Sequence, residues 1–318
     1  MADFSTGATR APGAAPTAGT VAGPAAGAVA APAGSVAART ALTALAPVVW
    51  GTTYLVTSQW LPPDHPLWSA TLRALPAGLI ALALGRRLPH GAWWWRAALL
   101  GTLNIGAFFA LLFVAAYRLP GGVAAILGAL QPLAVAALAY GLLRERPTLW
   151  RLGWAVAGAA GVAVIVLRAG AALDPVGIVA GSLGTAGMAA GVVLSKRWRR
   201  PVGVVAYTGW QLTAGGLLLL PLAVLVEGAL PPLDPPAIGG YLWLGGVGTL
   251  LAYGLWFTGI GRLPVTALSF LPLLSPVVAA TVGWLALGQS LGPLQVAGFV
   301  LALGAIAAAQ FAPRRPRG

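Results

Sequence analysis

The sequence predicts an all-α polytopic membrane protein with ten transmembrane helices, arranged as two inverted five-helix repeats. Three observations carry this: the scarcity of charge, ten apolar segments of spanning length, and motifs that recur at a fixed spacing. The 318 residues are 58% hydrophobic and only 8% charged, and the mean hydropathy is +0.86. A soluble domain carries about 25% charged residues, because its surface must be wetted. One soluble core could not absorb nearly a whole chain of this length, so lipid is the remaining solvent.

The net charge of +13 does not indicate nucleic acid. A phosphate-binding surface needs many cations side by side, whereas here they stand in short clusters between apolar runs. With no cysteine there is no disulfide or thiolate site, and two histidines, His65 and His90, both in expected loops, do not predict a metal cluster. No cofactor is expected.

Residues 1–40, rich in Ala, Gly, Pro and Thr, read as a disordered cytoplasmic tail, because they bury too little to offset ordering entropy. They also lack the compact basic and apolar regions of a cleavable signal peptide. A hydrocarbon core about 30 Å thick takes roughly twenty helical residues to cross. Cutting at charge clusters and Pro/Gly/Asp turns gives spans over 42–60, 66–85, 95–117, 121–143 and 149–167. The second five run over 175–195, 204–226, 237–260, 264–287 and 291–311. The first repeat is therefore set at 41–169 and the second at 174–311, followed by a basic tail over 312–318.

Basic residues fix the expected orientation. With the N-terminus inside, the inner segments hold Arg10, Arg39, Arg86, Arg87, Arg96, Arg144, Arg146 and Arg151. They also hold Lys196, Arg197, Arg199, Arg200, Arg262, Arg314, Arg315 and Arg317. Only Arg118 and Arg168 fall in outer turns, and Arg73 lies within the second span. Both termini are thus expected in the cytoplasm of a bacterial cell, with the chain in its inner membrane.

The repeat is internal and ungapped. Arg118-Leu119-Pro120 reappears as Arg262-Leu263-Pro264, an offset of 144 residues. The same offset pairs Leu100-Gly101 with Leu244-Gly245, Phe113 with Phe257, and Pro132 with Pro276. A second alignment joins Thr71-Leu72-Arg73-Ala74 to Gly209-Trp210-Gln211-Leu212, and Gly78 to Gly216. Five helices is an odd number, so the second copy enters from the opposite side of the membrane. Inverted repeats are the architecture of many secondary transporters, with the substrate site near mid-bilayer.

At this level the chain resembles the drug/metabolite transporter superfamily, specifically its EamA-type ten-helix permeases. The resemblance rests on Trp50-Gly51-Thr52-Thr53, Leu72-Arg73-Ala74, Pro132 and Leu143-Arg144-Glu145-Arg146. In the second half it rests on Leu251-Ala252-Tyr253-Gly254-Leu255-Trp256, Arg262-Leu263-Pro264 and Leu274-Ser275-Pro276. It covers about 42–311. Gln289 departs from the family pattern, which often repeats the helix-end Glu, here Glu145. The resemblance implies export of amino acids and other metabolites, or of toxic compounds, and implies packing roles for the fifth and tenth helices.

Candidate site residues follow from polarity at depth. Arg73 stands seven residues into an apolar span, roughly 10 Å from its end; it either docks a substrate carboxylate or gates, or else snorkels or caps carbonyls. Thr53, Asn104, Gln131, Ser182, Thr185, Gln211 and Ser275 must face the bundle interior, lining a cavity or bridging helices. Pro132 and Pro276 free carbonyls mid-helix. Trp50, Tyr54, Phe108, Tyr140, Tyr253, Trp256 and Trp284 are candidate aromatic walls. Trp93, Trp94 and Trp95, with Trp60, Trp68, Trp150 and Trp198, read as an interfacial belt. Glu145, between two arginines, reads as a helix-end ion pair.

The function these features predict is secondary export of a small-molecule metabolite by alternating access. Multidrug efflux is the alternative within transport. A membrane-embedded enzyme is a distant third, since no intramembrane acid, metal spacing or nucleophile elbow is present. With no Walker motif and no buried carboxylate, the energy source reads as facilitated export or proton coupling through a less obvious group. The partners expected are the solute and the bilayer, with no nucleic acid; the oligomeric state is open between monomer and homodimer.

Overall fold

A computed structural model describes residues 33–118, 127–166, 174–287 and 292–311. Ten helical passes, and no strand, occur among the described residues. Here α1 is 33–60, α2 Pro66–Gly85, α3 93–118, α4 Leu127–Leu143 and α5 Leu149–Val166. The second set is α6 Pro175–Arg197, α7 Val204–Glu227, α8 Pro235–Arg262, α9 Val265–Ala286 and α10 Pro293–Gln310. Eight are long and apolar enough to cross a bilayer, and α4 and α5 are shorter apolar helices. The expected spans match closely. The exception is α1, which already begins at Ala33, so residues 33–40 of the expected tail are helical. The tails over 1–32 and 312–318, and Gln289, lie outside the described residues.

Helix contacts repeat when the halves are exchanged. The most extensive pairings are α2 with α7 and α5 with α10, each pairing one helix with its own counterpart. The others come as matched pairs: α1 on α8 with α6 on α3, α1 on α9 with α6 on α4, and α2 on α8 with α7 on α3. That is a pseudo-two-fold axis, and five helices per half makes it an inverting one. The breaks repeat too. A π-helical segment interrupts α3 at Thr102–Gly106 and α8 at Trp243–Leu251. Helix α4 turns at Leu130, before Pro132, and α9 turns at Ser269 and Phe270, before Pro276.

The axis runs between α2 and α7, which small residues bring together. A methyl on Gly216 would stand 2.8 Å from the Leu75 Cα, and one on Gly78 would stand 2.5 Å from the Thr213 nitrogen. Acidic residues serve helix N-termini, where the dipole favours negative charge. Glu227 accepts from the Leu67 and Trp68 amides at 2.6 and 2.9 Å, and Asp174 and Asp234 cap α6 and α8. Asp174 also meets Arg118 at 3.4 Å, the one ion pair within 4 Å among the described residues. Glu145, expected in such a pair, acts on Arg151 and Lys196 from farther away.

Helices α5 and α10 pack as a peripheral pair. The Trp150 indole donates to the Ala308 carbonyl at 2.8 Å, and Arg151 donates to Thr266 at 2.7 Å. The tryptophan belt holds in part. Trp60, Trp94, Trp95 and Trp150 are exposed, but Trp68 and Trp93 are buried, with Trp93 against Tyr207 and Trp210. Both face α7: the Trp68 indole donates to the Gly228 carbonyl just beyond it, and Trp93 of α3 packs on its first turns.

Candidate functional site

A cavity of about 400 Å³ enters the bundle beside the 61–65 turn and ends near its middle. Its walls come from α1, α2, α3, α4, α6, α8 and α9, and none comes from α5 or α10.

Arg73 forms the polar floor. It is 7% exposed, and insertion of such a cation costs about 3 kcal/mol, so it needs partners. The π-helical segment of α8 supplies one. Inserting a residue into a helix shifts side chains and carbonyls out of α register, which places Thr249 Oγ1 3.3 Å from Arg73 Nε. The guanidinium lies 4.7 Å from the Phe109 ring centre, a cation–π distance. No carboxylate stands within 4 Å of it among the described residues. Of five guanidinium hydrogens, Thr249 takes one. The same segment receives the Trp50 indole at the Gly248 carbonyl, 3.0 Å away.

Trp50, Phe108 and Tyr253 line the cavity, with the Trp50 ring 5.1 Å from Tyr253. So do Thr53, Gln131, Thr185 and Ser275. Thr185 donates to the Leu127 carbonyl at 3.2 Å, which ties α6 to the broken start of α4. Gln131 is 7% exposed, and its Nε2 has no protein acceptor. Gln131 and Ser275 precede the repeat-related prolines; Gln131 follows the turn at Leu130, and Ser275 stands in the first turn of the helix that resumes after the break over 269–273, where Pro272 stands.

Six candidates do not line it, Gln211 among them as the partner of Asn104. Asn104 sits in the π-helical segment of α3 and donates to Gln211 at 2.7 Å and to Ser195 at 3.4 Å, so it bridges helices. Ser182 is exposed on the outer side of α6. The inward face of α6 is Gly181, Thr185 and Met188, at helical spacing, and one residue of rotation carries Ser182 away. Trp256 is fully buried behind Trp50, at 5.5 Å, with an unpaired indole nitrogen. Tyr140 and Trp284 are also exposed rather than wall residues. The Tyr54 side chain lies outside the described residues.

Sequence reading missed Thr57, Ser69, Phe109, Leu112 and Met188 on the walls, and Thr249 behind them. Thr57 follows Trp50 and Thr53 at i+7 and i+4, and Ser69 precedes Arg73 by four. Helical spacing from a residue already singled out would have found both. Asp64 and His65 stand at the mouth. The floor is thus rich in donors and the sides are aromatic, an arrangement that fits an acceptor group on an apolar body.

A family model described as "EamA-like transporter family" matches residues 39–167 and again 175–309. Protein PecM of Dickeya dadantii is 47% identical over 263 residues, covering 82% of this chain and 88% of that one. The uncharacterized inner membrane transporter YedA of Escherichia coli K12 is 31% identical, covering 81% and 85%. A probable amino-acid metabolite efflux pump of Salmonella typhimurium is 28% identical, covering 83% and 92%. One crystal structure of a protein, 22% identical, shares the fold with a TM-score of 0.76 over 88% of this chain and 98% of that one.

Proposed function

This chain belongs to the EamA-like transporter family, within the drug/metabolite transporter superfamily, and on that premise we propose that it exports carboxylate-bearing metabolites, amino acids among them. The route runs through the cavity by alternating access, across a bacterial inner membrane, with both termini in the cytoplasm. The carrying observation is Arg73, a buried cation with no acidic partner among the described residues, at the floor of a donor-rich cavity. A carboxylate entering there supplies the missing counter-charge, and Gln131 Nε2 offers a further donor. Trp50, Phe108 and Tyr253 would hold its apolar portion. The relative named as an amino-acid metabolite efflux pump supports the same class.

The aromatic walls favour a second reading, efflux of aromatic toxic compounds. Metabolite release from cells overproducing the protein, compared with a vector control, decides between them. Selective loss of amino acids or related acids to the medium is the expected result. An unchanged profile, with raised tolerance to aromatic toxicants, would replace metabolite export by drug efflux.

A further inference from the structure

A second concavity of about 400 Å³ opens at the opposite end of the bundle, lined by Ser195, Lys196, Arg199, Arg200, Tyr207 and Arg262 above the apolar Phe257 and Ile260. Four of its lining residues are cations and none is acidic. Positive charge at this end is what membrane topology requires, but topology does not require convergence. Arg197, in the same cluster, is exposed and does not line the concavity.

The repeat gives this place a meaning. The 138-residue offset that pairs Arg73 with Gln211 also pairs Trp60 with Trp198 at the ends of α1 and α6. Helices α2 and α7 begin at Pro66 and Val204, the same offset apart. It carries Thr57, Pro62 and Ser69, which line the mouth of the central cavity, onto Ser195, Arg200 and Tyr207. The basic concavity is therefore the counterpart of that mouth in the other half. Its floor is the closed polar centre of that half: Ser195 accepts from Asn104, and Tyr207 lies beside Ser195 and Gln211. Lys196 spans it, donating one hydrogen to the Leu263 carbonyl at 2.8 Å and keeping two. Glu145 acts on Lys196 from the turn after α4 without lining the site.

We propose that this basic concavity is a loading site, where a small anionic solute bearing a carboxylate or phosphate is captured before translocation. The inference rests on the export reading of the central cavity and adds a site to it. The two related mouths differ in charge: one carries four cations, the other Asp64 and His65. An anion is thus concentrated where it enters and loses that attraction where it leaves. Clefts lined by one sign of charge raise local counter-ion concentration by about tenfold or more.

The chain has no cysteine, so single thiols report each mouth. Gly261→Cys places one at the basic concavity, on an exposed position with open space around the added carbon. Thr57→Cys places one at the other mouth. Full-length protein in phosphatidylcholine nanodiscs would be labelled with a sulfonate and with a trimethylammonium methanethiosulfonate. The anionic-to-cationic rate ratio should be about tenfold higher at position 261 than at 57. It should fall to the position-57 value in an Arg199→Gln/Arg200→Gln background. Inorganic phosphate should slow labelling at 261 saturably, beyond chloride at equal ionic strength.

Equal ratios at the two positions, or phosphate no better than chloride, would overturn the proposal. So would cancellation of the preference by phosphatidylglycerol, which would assign the site to a lipid headgroup. Labelling needs no transport, so equal ratios would leave the export reading standing, and a failed release assay would leave this site standing.

Discussion

The two halves hold the same device with different residues in it. In each, a helix at the axis presents a polar side chain to a π-helical segment of the other half. In one centre Arg73 of α2 meets Thr249 of α8; in the other Gln211 of α7 meets Asn104 of α3. The first leaves guanidinium hydrogens facing an open cavity. The second is packed shut: Asn104 Nδ2 donates to Gln211 and Ser195, Gly191 leaves room for the Asn104 side chain, and Asn104 Oδ1 and Gln211 Nε2 find no protein partner. Packing around them differs in the same sense. Helix α6 packs on α8, whereas no comparable packing joins α1 to α3 among the described residues, and the cavity opens on that side. One backbone design therefore holds a cation facing a cavity in one half and a packed amide pair in the other, with Arg73 and Gln211 at the equivalent axial position.

Removing the charge of the open centre should have the largest effect. Arg73→Gln makes the two centres alike and should cost about 2 kcal/mol or more of solute binding, roughly thirtyfold in affinity. Thermal stability should hold or rise, because a buried cation no longer has to be desolvated. Efflux from proteoliposomes together with a melting curve checks both, and transport that survives alongside a loss of folded protein would make Arg73 structural. The closed centre is attacked by Gly191→Ala, whose methyl would displace an Asn104 amide already held by two partners. A loss of about 1–3 kcal/mol in stability is expected, with the basic end becoming more accessible to thiol labelling.

The amide pair itself is worth less. A double-mutant cycle with Asn104→Leu and Gln211→Leu should give a coupling of about 0.6–1.7 kcal/mol, the range of hydrogen bonds between membrane helices. A coupling near zero would mean the amides merely fill space. The smallest effect belongs at the helix ends. The Gly177 amide above all, with the Val176 amide and Arg118, holds the Asp174 carboxyl below the usual carboxylate range, against an opposing desolvation. A depressed carboxylate contributes stability above its unfolded value of about 4, and that contribution is lost as pH falls through the lower folded value. The melting difference between the native chain and Asp174→Asn should thus be present at pH 7 and vanish in strong acid.

Much of the fold was legible because lipid imposes a strict rule: each crossing takes about twenty apolar helical residues. Both ends of α2 fall where the turns at 61–65 and 86–92 put them. Pro132 marked the break at Leu130 beside Gln131, whereas the break before Ser275 falls at 269–273, around Pro272 rather than Pro276. The π-helical segments left no such mark, since they run through ordinary apolar sequence, and Thr249 was missed with them. Asn104 took the second of its two expected roles, bridging helices, and it was the rotation of α6 that hid Ser182. A helix apolar around its whole circumference gives no stripe from which to read its rotation.

The number of spans, the two-fold relation of the halves, and a lone cation deep in the second span can all be read along the chain. These follow from composition and spacing along one dimension. Tertiary structure decided which face each helix turns inward, that Arg73 opens onto a cavity while Gln211 pairs with Asn104, and that four basic residues share one concavity. Those outcomes depend on helix rotation and close packing, which small residues such as Gly78, Gly191 and Gly216 permit, and which no pattern along the chain records.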